Sequence, residues 1–123
     1  MFRELGNKNP VLKFSTLSGV LEAQRQEEKV VLDLPVNRPE VVGDQFTELV
    51  KEVSCGLAVK EVLLSECTKK LMVRLEDTVS QLNLEKIKPA IARLPVLEDS
   101  GRVAGVILTA RGDKTEETDF VSR

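Results

Sequence analysis

The stretch LKFSTLSGVLEAQRQEEKVVLDLP, residues 12–35, decides the fold because its apolar residues alternate with polar ones, as in half-buried β-strands. Leu12 and Phe14 fall on one side of a first strand, and Val30 and Leu32 repeat the alternation after a polar Gln-Glu-Glu turn. A strand pair with one apolar face is not stable alone and needs a covering element. The sequence upstream is too short to supply one, so the pattern predicts a pair cut from a larger protein.

The composition is that of an ordinary globular chain without a charge bias. Its 123 residues carry 18 Lys and Arg against 20 Asp and Glu, and 3% of them are aromatic, so no nucleic-acid partner is predicted. No apolar run reaches the roughly 20 residues that span a bilayer. Residues 1–10 lack the apolar stretch of a secretion signal and predict at most one helical turn ending at Gly6. We therefore expect a cytoplasmic protein with no membrane contact.

The residue inventory excludes several kinds of site. The chain has no histidine, which removes imidazole bases, Ser–His and Cys–His nucleophile pairs and almost every ordinary zinc site. Its two cysteines, Cys55 and Cys67, are predicted to be reduced and to fill small buried or half-buried positions. Glycine-rich phosphate loops are also missing. Neither a metal nor a cofactor is therefore predicted.

A second structural part is predicted after Pro35, because Pro35 and Pro39 bracket a stiff, extended connection. Asp44 is predicted to cap a helix whose apolar stripe ends at a left-handed Gly56. The later expected elements are a hairpin over 59–64 and 70–75, two short helical pieces over 78–93 broken at Pro89, a strand beginning at 94–97, a central strand over 103–110 and a strand starting at 119–123.

Two carboxylates stand out by position as candidate site residues. Asp33 lies inside a predicted strand and Asp119 precedes the apolar pair Phe120-Val121, although turn capping or an outward strand face would also explain both. A rival reading comes from RLPVLEDSGRVAGVIL, residues 93–108, which resembles the strand-turn-strand of a CBS nucleotide-sensing module. Such modules work in tandem pairs, and no second copy is found here.

Taken in order, the segments LKFSTLSGVLEAQ with VVLDLP, KKLMVRLED, LNLEKIKP, GRVAGVILTARGD and DFVSR resemble the middle of a phenazine-biosynthesis-like (PhzF-like) protein. This family has the diaminopimelate-epimerase fold. The resemblance implies an α+β chain in which each of two domains wraps a barrel-like sheet round a central helix. It implies that residues 1–35 are the C-terminal strands of a first domain and residues 36–123 the N-terminal half of a second, so that the architecture is incomplete.

The resemblance also implies a function, because family members look like isomerases that shift a proton on a small metabolite without a cofactor. The family's catalytic glutamate and glycine-histidine segment would precede Met1, and its Asp-Pro and Thr-Gly-Ser motif would follow Arg123. We therefore expect a truncated product that is inactive alone, has no catalytic residue, and approaches the substrate only at Ser122 and Arg123. The alternatives are a non-enzymatic interaction protein and the CBS-like nucleotide-binding module.

The expected partners follow from the same resemblance. They are a small-molecule substrate in the full-length family and either a second copy, giving a homodimer, or a full-length relative. Strands that normally wrap a helix would leave apolar side chains uncovered, and these are expected to drive self-association. The side chains in question are Leu12, Phe14, Val30, Leu32 and Leu34.

Overall fold

The computed structural model describes residues 6, 8–17, 19–112 and 118–123, and the chain divides into two compact units, Met1–Val36 and Asn37–Arg123. The helical turn expected before Gly6 falls on residues 1–5, which lie outside the described residues. The division lies within the connection bracketed by Pro35 and Pro39. The assignment of the two parts to two PhzF-like domains stays a prediction.

The first unit is an antiparallel meander of β1 (Val11–Thr16), β2 (Gly19–Gln26) and β3 (Lys29–Asp33) in the order β1-β2-β3. The strand pair predicted from the alternation is therefore a set of three strands. The chain reverses sharply after β1, where Gly19 takes a φ of 98° and the Thr16 hydroxyl donates to the Gly19 carbonyl at 2.8 Å. A side chain at that φ would be strained, which explains the glycine.

One face of this meander is apolar. Cross-strand pairing places Phe14 opposite Leu21, and Ala23 between Leu12 and Leu32. On β3 and just after it, Val30, Leu32 and Leu34 are exposed by 54%, 58% and 58%, as the sequence predicted. Leu12 and Phe14 are half-buried, so their predicted exposure is only partial.

The second unit is built on a five-stranded sheet in the order β4-β5-β6-β7-β8. Its strands are β4 (Glu40–Val41), β5 (Val59–Ser65), β6 (Lys70–Leu75), β7 (Gly105–Arg111) and β8 (Phe120–Ser122). All neighbours are antiparallel except β6 and β7, which are parallel and joined by a helical crossover. The β5–β6 hairpin, the inner strand β7 and the strand near 119–123 confirm the predictions.

The helices of the second unit are short. They are α1 (Thr47–Ser54), which follows a 3₁₀ turn at Gly43–Phe46; α2 (Gln81–Lys86); and α3 (Leu94–Leu97), which follows a 3₁₀ turn at Ile91–Arg93. The predicted break near Pro89 is confirmed. Within the described part of the chain, none of these helices has the length and apolar content needed to cross a bilayer.

Three predictions about these helices need correction. Residues 94–97 form a helical turn and not a strand, because Pro95 stands in the first turn, where its fixed φ favours a helix. The strand-turn-strand of a CBS-like module is therefore absent from this stretch. The Asp44 side chain caps no helix, since the Thr47 hydroxyl donates instead to the Asp44 carbonyl at 2.8 Å. Helix α1 does stop in left-handed backbone, but this begins at Cys55 (φ 49°), one residue before Gly56 (φ 83°).

The core of the second unit lies between the helices and one face of the sheet. Leu71, Val73 and Leu75 alternate along β6 and are at most 1% exposed. The predicted stripe of α1 packs against them through Phe46, Leu49 and Val53, with Val50 half-buried at its edge. Leu84 and Ile87 from α2, and Leu94 and Leu97 from α3, join the same cluster. The helices therefore share one side of the sheet, and we call the opposite side the open face.

Candidate functional site

Cross-strand pairing orders the side chains of the open face into rows, because directly opposed residues lie on the same side of a sheet. The lowest row is apolar and joins Leu63, Met72 and Ile107, all half-buried. The next row is polar and runs from Glu61 through Arg74 and Thr109 to Ser122. In the row after that, Arg111 of β7 is paired with Phe120 of β8. The open face therefore has apolar side chains in one row and mainly polar or charged side chains in the two rows that follow. We call these two rows the rim.

A cavity of about 470 Å³ opens at this rim, and we call it the rim cavity. Its volume falls within the roughly 300–1,000 Å³ of small-molecule pockets. The cavity is lined by Phe120, an aromatic residue that is 66% exposed, and by Thr109, whose side chain carries a hydroxyl. The residues around it are Met72, Arg74, Asp77, Thr109, Ala110, Arg111, Asp119 and Phe120.

Ion pairs fix part of the rim. The Arg74 guanidinium lies 2.9 Å from a Glu61 oxygen and 3.6 Å from an Asp77 oxygen, and the Lys60 ammonium lies 2.8 Å from the other Asp77 oxygen. The hydrogen bond from Lys60 and its positive charge hold the pKa of Asp77 below its usual value, and Arg74 and Arg111 act in the same direction. Asp77 is therefore ionised at neutral pH and is a poor proton donor there.

Arg111 and Asp119 are different, because neither takes part in an ion pair with any other described residue. Both are exposed at the same end of the sheet, where the Gly112 amide donates to the Asp119 carbonyl at 3.0 Å. Asp119, one of the two candidate carboxylates, also lines the rim cavity. The other candidate, Asp33, is the exposed last residue of β3 in the first unit.

The structure places the two predicted substrate contacts beside a second cavity. This helix-side cavity, of about 410 Å³, is lined by Gln81, Leu84, Glu85, Val121, Ser122 and Arg123. The Nη1 atom of Arg123 donates to the carbonyls of Leu84, Glu85 and Ile87 at 3.1, 3.1 and 2.9 Å. The guanidinium therefore satisfies the carbonyls left open at the C-terminal end of α2. A role of Ser122 and Arg123 in substrate binding stays a prediction.

Sequence reasoning missed Arg74, Asp77 and Arg111 as site residues. Arg74 carried one usable signal, since it stands between buried Val73 and Leu75 and must face the other side of its strand. The pairing of Asp77 with Lys60 joins positions 17 residues apart, and no local pattern predicts it.

A third cavity, of about 580 Å³, lies between α1 and β5 and is less suited to chemistry. Its wall includes Val50, Val59 and Val62, and its two lysines are engaged elsewhere. Lys51 pairs with Glu48 at 2.9 Å, and Lys60 with Asp77. We therefore take the rim cavity as the candidate site.

The sequence predicts no metal ligands and two cysteines outside the solvent in the described part of the chain. No three or more Asp, Glu or Cys side chains converge there to hold an ion. Cys55 and Cys67 are both exposed, so the prediction that they are buried or half-buried is wrong. Cys55 occupies the left-handed end of α1, and Cys67 lies in the turn between β5 and β6, which keeps both side chains out of the core.

Comparison with known proteins gives matches along the entire chain. It is 38% identical to the mouse phenazine biosynthesis-like domain-containing protein 1, and the match covers 100% of this chain and 44% of the mouse protein. It is 40% identical to a Pseudomonas aeruginosa protein named as an uncharacterized isomerase, with 91% of this chain and 37% of that protein covered. No family model matches the chain.

A solved structure resembles the chain in the same way. The crystal structure of an Enterococcus faecalis phenazine biosynthesis protein of the PhzF family superimposes with a TM-score of 0.70 at 30% identity. The match covers 99% of this chain and 41% of the bacterial one. The chain therefore spans less than half the length of the relatives and the structure that it matches.

Proposed function

We propose, on the premise that this chain belongs to the phenazine biosynthesis-like (PhzF-like) family, that it is part of an isomerase-type protein acting on a small polar metabolite. The support is the match along the entire chain to a phenazine biosynthesis-like relative and, over 91% of the chain, to a bacterial protein named as an isomerase. The proposed reaction moves a proton without a cofactor. A cytoplasmic location and the assignment of residues 1–35 and 36–123 to two family domains belong to the same proposal.

Within that protein, this chain is proposed to supply framework and substrate contacts and to have no catalytic activity by itself. Moving a proton between carbon atoms requires a carboxylate in a water-poor site, with a pKa near the working pH. The carboxylate most firmly held at the rim cavity, Asp77, has its pKa lowered by Lys60. The observation that carries the proposal is that none of the carboxylates among the described residues is buried, so none of them lies in a water-poor site.

The substrate contacts are proposed to come from the rim cavity. Arg111 has no ion-pair partner among the described residues. A guanidinium of this kind binds carboxylates with two parallel hydrogen bonds. Thr109, which lines the same cavity, carries a hydroxyl. Together these groups suit a small metabolite that carries an acid group.

The test is solvent deuterium uptake. A dihydro-hydroxy aromatic acid is incubated with the 123-residue chain in deuterated buffer, and its proton NMR spectrum is followed over time. We expect no loss of signal at any carbon-bound proton beyond that in buffer alone. Any uptake above the buffer rate would overturn the claim that this chain is inactive alone. Its loss in Asp77→Asn, with retention in the distant Glu48→Gln, would then assign the activity to the rim cavity.

A second candidate function, a non-enzymatic interaction protein, is favoured by the exposed apolar side chains of the first unit. Val30 and Leu32 lie on one side of the edge strand β3 and are 54% and 58% exposed. We propose that a second copy of the chain covers them.

Replacing both residues, as Val30→Lys with Leu32→Lys, is expected to reduce self-association at least threefold, because charges on an edge strand oppose pairing. Static light scattering over a concentration series measures this. The control is Leu82→Lys, which alters a leucine of α2 that is 61% exposed and is expected to change nothing. Equal scattering by the double variant and the unaltered chain would contradict the proposal.

A further inference from the structure

A small cavity lies on the helix side of the second unit's sheet, and we call it the crossover cavity. Its volume is about 260 Å³, and an apolar cavity of roughly 150 Å³ is already large enough to bind benzene. The residues around it all lie between positions 49 and 106, so its walls include neither the first unit nor β8. Its floor is apolar and consists of Leu49 of α1, Leu94 of α3, Val103 before β7 and Val106 in that strand.

The outer wall of the crossover cavity is held in place from α1. Glu52 accepts a hydrogen bond from the Ala90 amide at 3.3 Å and forms an ion pair with Arg93 at 3.1 Å. Ile91 lies between these two contacts along the chain and lines the cavity, yet it is 72% exposed. An exposed apolar side chain that adjoins an apolar cavity enlarges one continuous patch, and such patches mark binding sites.

One carboxylate lines the crossover cavity, and it belongs to Glu98. This residue is half-buried, and its amide donates to the Leu94 carbonyl at 3.1 Å at the end of α3. The Ser100 hydroxyl donates to one oxygen of the carboxylate. No described residue donates to the other oxygen or forms an ion pair with Glu98. The cavity therefore combines an apolar floor with one uncompensated negative charge.

The cations of the same region do not neutralise this charge. Arg93 and Arg102 are both ion-paired with other carboxylates. Lys70 precedes Leu71, which faces the helices, so the lysine side chain lies on the open face of the sheet. A positive charge on a bound molecule would therefore be the partner that Glu98 lacks.

We propose that the crossover cavity binds a small apolar molecule that carries an ammonium group. The apolar part packs against Leu49 and Val106, and the ammonium contacts the Glu98 carboxylate. Apolar surface leaves water on binding, and a half-buried carboxylate attracts a cation more strongly than a fully solvated one does. The cavity lies on the opposite side of the sheet from the rim cavity, so this inference is independent of the proposed function.

The test uses probes that share a phenyl group and differ in charge: 2-phenylethylamine, 2-phenylethanol and 3-phenylpropionate. Each is titrated into the isotope-labelled chain at neutral pH, and the amide chemical shifts are followed by NMR. We expect the amine to shift the amides of Leu94, Val103 and Val106 with a dissociation constant of about 1 mM. The alcohol should bind at least threefold more weakly, and the acid at least tenfold. This comparison needs no variant.

A charge variant then assigns the preference to one residue. Glu98→Gln keeps the size of the side chain and removes its charge, so it should weaken amine binding at least threefold and leave alcohol binding unchanged. The matched control is Asp99→Asn, which removes the charge of the next residue, outside the cavity, and should change amine binding less than twofold. No shifts at the three amides, equal affinity for the probes, or an unchanged amine affinity in Glu98→Gln would each overturn the proposal.

Discussion

Replacing Leu71 with alanine is expected to lower the free energy of unfolding of the second unit by about 3 kcal/mol. Leu71 is 0% exposed and lies on the face of β6 against which the helices pack. Truncating it removes buried apolar surface and leaves a cavity that the surrounding β-strands cannot fill, since their hydrogen-bonded ladders hold them in place. No other single truncation proposed here is expected to cost as much.

The measurement is urea unfolding followed by circular dichroism, combined with amide hydrogen exchange to assign the change to β6 and β7. The two-unit organisation makes this site-specific readout necessary, because one melting curve would average both units. The control is Leu82→Ala, at a leucine that is 61% exposed, for which we expect a change within about 0.5 kcal/mol. Equal effects of the two substitutions would show that the core is not packed as described.

Replacing Arg123 with glutamine is expected to destabilise α2 and its contact with β8 by about 2 kcal/mol. The guanidinium donates to the carbonyls of Leu84 and Glu85 in the last turn of that helix and of Ile87 directly after it. A positive charge at a helix C-terminus also interacts favourably with the helix dipole. The variant loses that charge and leaves partly buried carbonyls without donors.

Amide exchange in α2 measures this effect, at concentrations low enough to keep the chain monomeric. Arg123→Lys retains the charge but replaces the planar guanidinium with a compact ammonium, so we expect an intermediate loss. Arg38→Gln serves as the matched control, because Arg38 lies in the exposed connection near the boundary between the units. Unchanged exchange in α2 with Arg123→Gln would contradict a capping role for this residue.

Because Arg123 caps α2, we expect it to affect a substrate site only indirectly, by holding the end of that helix in place. The guanidinium that sequence reasoning placed near a substrate has one nitrogen engaged with three carbonyls. Arg111, which the sequence did not single out, is the rim-cavity guanidinium without an ion pair among the described residues. A binding study of the rim cavity should therefore begin with Arg111.

The sequence predicted the buried face of an element correctly where one apolar periodicity extended over the whole strand or helix. The alternation of Leu71, Val73 and Leu75 predicted one buried face of β6, and the spacing of Phe46, Leu49 and Val53 predicted the packed side of α1. Sequence patterns were unreliable in short apolar runs. LPVL at 94–97 is too short to show a period, and Pro95 suits the first turn of a helix as well as an extended segment.

The amino-acid sequence by itself determined the outer strands of the first unit, β5 to β8 of the second, the inward stripe of α1, the break near Pro89 and the exposure of the β3 side chains, but not β2 or the short β4. Each follows from the repeat of apolar residues or from the φ restrictions of proline. Only the tertiary structure decided that β6 and β7 lie parallel, that Lys60 holds Asp77, and that Arg123 closes α2. These contacts join residues 17 to 39 positions apart, and their partners are set by how the crossover packs on the sheet, which local patterns do not encode.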